Sequence, residues 1–131
     1  MATNLDICTD AARELGAIPA GEALSAVDAA DILRRMNGLG KGFDAQSIFP
    51  GWSDQQLSDE FLLDPKHEDG FVCMLAERIA PLFGATVSPE TARRAFMGWQ
   101  LIKADYTPVE GIRFDDSIGR MPSQRFYGWS R

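Results

Sequence analysis

Apolar residues recur at spacings of three and four along most of the first 106 positions, the period of helices packed on one face. "NLDICTDAARELGA" reads as a first helix with Leu5, Cys8, Ala12 and Leu15 on one line. Thr3 or Asn4 caps its free amide groups. Gly16 stops it, because glycine enters the left-handed conformation common just past a helix end. "AIPAGEAL" then connects to "SAVDAADILRRMNGLGKGF", a second helix behind a Ser25–Asp28 capping pair. Its apolar line is Ala29, Ile32, Met36, Leu39 and Phe43. Gly38, Gly40 and Gly42 weaken its end, so it either stops near Gly38 or persists where neighbours pack it.

Residues 44–66 break the period. "SIF" and "EFLL" place apolar anchors between turn residues, and "FPGW" reads as a turn. Short strands, a hairpin and an ordered loop laid over the helices all fit. An excursion of this length is either functional or locally structured. "HEDGFVCMLAERIAPLFGA" is a third helix with Phe71, Leu75, Ile79 and Leu82 in line and Val72, Ala76 and Phe83 widening the stripe. So wide a stripe predicts contact with more than one element, and Pro81 loosens the last turn. "TVSPETARRAFMGWQLIKADY" is the fourth helix. Ser88 is its N-cap, Pro89 its first residue, and Ala92, Ala95 or Phe96, Trp99, Ile102 and Tyr106 its apolar face. From Thr107 the periodicity vanishes. The expected fold is mainly α: a four-helix-bundle-like domain over 1–106, with a loop excursion at 44–66, and an extended C-terminal arm over 107–131.

Composition narrows the function more than the fold. The formal charge of −6, from 19 acidic and 13 basic side chains, argues against a protein that neutralises many phosphates. It does not exclude DNA passing nearby without being held. Up to residue 106 the balance is 16 acids against 9 bases, or −7; beyond it, 3 against 4, or +1. Cys8 and Cys73 fall in apolar helical patterns and read as free, buried thiols, favouring a reducing compartment. No basic stretch followed by an apolar run opens the chain, and no apolar run approaches a membrane span, so neither a signal peptide nor a membrane partner is expected.

Candidate chemistry is sparse. "GLGKG" at 38–42 lacks Walker A spacing and the hydroxyl after its lysine, so a helix end is the better reading. His67, the single histidine, sits beside Glu68 and Asp69; a general base is conceivable, but "DPKHEDG" reads more simply as a helix opening where acids meet the amide dipole. A Cys73–His67 pair would point to different helical faces. Asp59, Glu60 and Asp64 flank aromatics as paired acids of a cell-wall hydrolase would, though a solvated face explains them more simply, and Asp115 with Asp116 suggests a metal, though polar contacts or a turn in the arm is the simpler reading. Arg93 and Arg94 give weak support for phosphate contact. No catalytic, cofactor or metal residue is therefore assigned, and no enzyme activity is expected. Trp52 and Trp129, outside the periodic segments, read as interface anchors, whereas Trp99 fits a core stripe. The arm "RMPSQRFYGWSR" combines arginines and aromatics; it orders on another chain or folds back over its own domain.

The order of "AARELGAI", "AVDAADILRRMNGL", an aromatic loop, "LAERIAPLFGATVSPETARRAF" and a tail with "RMPS" resembles the tail accessory factors, or packaged-DNA stabilisation proteins, of short-tailed phages, within the head-to-tail adaptors. The resemblance covers roughly residues 3–127. It implies a small helical adaptor domain, about twelve neighbouring copies in a ring under the portal protein, and a platform for the next tail component. DNA would pass through the lumen without specific binding. It places the protein at the head–tail junction of the virion, and in the host cytoplasm during assembly. Contact with the portal or a neighbouring subunit would fall to Arg120, Met121, Pro122, Arg125, Phe126, Tyr127 and Trp129. A small terminase-like DNA-binding or regulatory protein is the alternative, with "SPETARRAFMGWQ" as its recognition helix; a cell-wall hydrolase is the lesser one.

Overall fold

A computed structural model of the chain describes residues 2–19, 21–49 and 51–106. Among these the chain forms four α-helices, α1 (Asn4–Glu14), α2 (Ala26–Ala45), α3 (Glu68–Ile79) and α4 (Pro89–Tyr106), and no β-sheet. The arm over 107–131 lies outside the described residues.

Helix α3 is the hub, with every residue from Phe71 to Ala76 buried against α1, α2 or α4. That is what its wide apolar stripe predicts. The α3–α4 crossing is set by two glycines. A Cβ on Gly70 would lie 2.7 Å from the Gly98 Cα, so the two backbones touch where any side chain would force them apart. Past Ile79 the chain tightens into a 3-10 turn, Ala80–Phe83, around Pro81. The change of period rotates Leu82 off the predicted stripe and leaves it exposed.

The helix starts follow the sequence. Thr3 caps α1 in a capping box with Asp6, Ser25 accepts from the Asp28 amide, and Ser88 accepts from the Thr91 amide. Helix α1 ends at Gly16, whose φ of 72° lets the Ala17 amide reach back to the Ala12 carbonyl. Of its expected line, Cys8 and Ala12 are buried and Leu15 packs partly on the core, but Leu5 is exposed, and Asn4, Ile7 and Ala11 are buried beside them. The cause is the excursion, which seats over the N-terminus of α1 and draws Asn4 inward.

Of the two ends open to α2, the chain takes the longer, persisting past Gly38 to Ala45. All three glycines of "GLGKG" lie inside the helix, and its termination falls to Ser47, a left-handed residue at φ 59°. The Ile48 amide closes onto the Phe43 carbonyl there. Gly40 is where the Trp52 ring lies directly on the helix, leaving no room for a Cβ; Gly38 and Gly42 have nothing within 4 Å of that position.

Of the three forms open to residues 44–66, the chain adopts the ordered loop. Its only ladder pairing among the described residues is an isolated bridge, Thr3 to Glu60. Ile48, Trp52, Phe61 and Leu63 plug into the core. Trp52 is thus a core residue and not an interface anchor: its ring stacks on Phe71 at 6.1 Å and 8°. Asn37 pins the loop to α2, its Oδ1 accepting from Trp52 Nε1 (3.1 Å) and the Gln55 amide (2.9 Å) while its Nδ2 donates to the Gln55 carbonyl. The loop in turn caps α1: the Asp59 and Leu57 carbonyls accept from the Asn4 and Leu5 amides, which a helix start leaves without partners.

Candidate functional site

Helix α4 carries more apolar surface than the core uses. Ala95 and Ile102 are buried, but Phe96, Met97 and Leu101 are 58%, 56% and 54% exposed. At a rise of 1.5 Å per residue these side chains form a short ridge, about one and a half turns long, on the outer side of the helix. Trp99, expected in the core, is only half-buried; Lys103 Nζ sits 4.9 Å over its ring, and Phe96 lies at 6.4 Å.

Two clefts flank the ridge. One, between α2, α3 and α4, encloses about 410 Å³ and is lined by Leu39, Met74, Ala92, Ala95, Phe96 and Trp99, with Glu77 and Arg78 at its rim. Burial raises the Glu77 carboxyl above its usual range. The other, about 270 Å³, runs over the glycine crossing between Lys66, Arg93, Met97 and Leu101.

Polar clasps hold α4 at each end. Near its start, Arg94 bridges Glu14 on α1 (2.5 Å) and Asp69 on α3 (3.2 Å), and the Thr91 hydroxyl also donates to Glu14 (2.8 Å). The Arg94 hydrogen bond, more than Thr91, holds the Glu14 carboxyl below its usual range. At the far end, His67 is buried with Nε2 2.8 Å from Asp105 Oδ2, and the Asp64 amide donates to the Tyr106 hydroxyl (3.0 Å). The His67 hydrogen bond, helped by Lys66, lowers the Asp105 carboxyl. These clasps hold both ends of α4 against the rest of the domain.

The candidates from the sequence are thereby placed. His67 serves as a strut between the turn before α3 and the last turn of α4. Cys8 and Cys73 are free and buried, their thiols pushed by burial up to about 12 and about 11. Asp59 and Asp64 cap turns, accepting from the Gln56 and Lys66 amides, and Glu60 is exposed beside the Thr3 bridge, so the three are not gathered at one point in a cleft. Among the described residues no three His, Cys, Asp or Glu side chains could hold a metal, and no helix is long and apolar enough to cross a membrane. Arg93 pairs with Glu90 as Arg94 does with Glu14. Arg120, Met121, Pro122, Arg125, Phe126, Tyr127 and Trp129, with Asp115 and Asp116, lie outside the described residues.

The ridge itself was missed by the sequence reading, which took one apolar face for α4. The signal was present: Ala92, Ala95, Phe96, Met97, Trp99, Leu101 and Ile102 cover more than half the helix circumference, too much for one core contact. No family model, curated protein or solved structure matches the chain.

Proposed function

We propose that the chain is a head-to-tail connector of a short-tailed phage, a structural subunit that joins neighbouring copies in a ring under the portal and offers the next tail component a platform. The observation that carries an assembly role is the α4 ridge. A domain whose core is already closed by α3 presents Phe96, Met97 and Leu101 to water. Large apolar side chains grouped on a surface are the material of protein–protein contacts. The resemblance in the sequence supplies the kind of assembly. A closed ring of identical subunits needs two different adhesive faces on each copy, and the ridge with the arm would provide them. The acidic body suits a tube through which DNA slides, since a wall that bound phosphate would arrest it.

In this reading the work is mechanical. Helices α1–α3 form a wall element, α4 meets a neighbour, and the arm, through Arg120, Met121, Pro122, Arg125, Phe126, Tyr127 and Trp129, grips the portal. Mixing the protein with purified portal rings and imaging the product tests it. Added density under the portal is expected, and deletion of residues 117–131 should weaken attachment while preserving the helical circular-dichroism signal. Unchanged attachment by the deleted chain would remove the arm from the mechanism.

A further inference from the structure

The cleft between α2, α3 and α4 has the chemistry of a socket. Leu39, Met74 and Trp99 line it, with the exposed Phe96 at its edge, and this lining suits aromatic anchors, since methionine sulfur adds favourable contact with aromatic rings. Its charged lining is Glu77 and Arg78, both exposed and neither in an ion pair among the described residues, which leaves Glu77 able to take a cation. One segment of this chain matches that demand in order: "RFYGW", Arg125–Trp129, a cation followed by three aromatics. It belongs to the part of the chain with net charge +1, against −7 for the body.

Reach favours the same chain. The arm departs from Tyr106, which the Asp64 amide holds in place. Trp99 lies back along α4 by about 10 Å at 1.5 Å per residue. The residues between Tyr106 and Arg125 can span up to about 60 Å. A tether that easily covers its span holds its end at an effective concentration on the order of millimolar, so a contact too weak to form between separate molecules is occupied within one.

We infer that in the free subunit Arg125–Trp129 docks in the α2–α3–α4 cleft of its own chain, with Arg125 facing Glu77. The inference goes beyond the connector reading and does not depend on it; in a connector, the same residues would exchange this cleft for a partner's surface.

Hydroxyl-radical footprinting of the full chain at micromolar concentration tests it, with the triple variant Phe126→Ser, Tyr127→Ser, Trp129→Ser alongside. Phe96 and Trp99 should oxidise several-fold faster in the triple variant, while Met97, which lies outside this cleft, labels equally in both. Glu77→Lys, which leaves the arm sequence intact, should release the same protection, with circular dichroism unchanged. Equal labelling of Phe96 and Trp99 in all three proteins overturns the inference. Protection that fades on dilution also overturns it, because the occupant is then the arm of a second copy.

Discussion

At the scale of single residues, the three glycines of "GLGKG" stand in two different situations. Gly42 is helical and has open space where a Cβ would stand, so Gly42→Ala should gain helix propensity and raise stability by about 0.5–1 kcal/mol. Gly40 lies under the Trp52 ring, and Gly40→Ala should instead cost about 1–3 kcal/mol through overpacking. Ser47 holds the left-handed position that ends α2, so Ser47→Gly should add about 1 kcal/mol by removing the Cβ strain. Urea midpoints of the three variants check both signs and magnitudes. The sequence left open whether the helix stops near Gly38 or persists where neighbours pack it; Trp52, twelve positions beyond Gly40, is such a neighbour.

A second residue-scale expectation concerns acid. Arg94 holds Glu14 below its usual 4.5, so the stability this carboxylate contributes is fully present above that value and is lost as pH falls through its lowered folded value. Glu14→Gln should cost about 1.5 kcal/mol at pH 7. The gap between the two proteins should close as pH falls through the lowered folded value, because the native carboxyl then also becomes neutral. A gap that persists undiminished at pH 3 would mean that packing, not charge, carries the contact.

Between elements, the excursion is a brace. Asn37→Ala removes three hydrogen bonds at once and leaves the Gln55 backbone groups without partners, so a loss of about 2–3 kcal/mol is expected. Hydrogen exchange should then rise in residues 52–61 and also in the first turn of α1, whose amides the loop caps. This coupling was invisible in the sequence. The helix starts were legible because caps are local: Ser88, Pro89 and Glu90 announce α4 within three residues. The loop was not, because the groups that pin it, Asn37 and the start of α1, lie 15 to 55 residues away in sequence. The Gly70–Gly98 crossing was hidden for the same reason.

At the scale of the whole molecule, the α4 ridge should be dispensable for folding and needed for assembly. Phe96→Ser with Leu101→Ser should leave the urea midpoint within about 0.5 kcal/mol of wild type, as exposed substitutions do. The same variant should fail to add density under portal rings. Full incorporation of the double variant would assign the ridge to something other than ring contacts.

What the sequence determined by itself was whatever acts within a turn or two of chain. The four helices, their caps, the Pro81 break, the buried thiols and the α2 line from Ala29 to Phe43 all follow from local spacing, capping chemistry and side-chain polarity. Only the tertiary structure decided how far α1 and α4 turned their apolar residues inward. Burial depends on what arrives from elsewhere in the chain: the excursion drew Asn4 in and left Leu5 out, Trp52 filled the space above Gly40, and the glycine crossing set α4 so that Ala95 is covered and Phe96 is not.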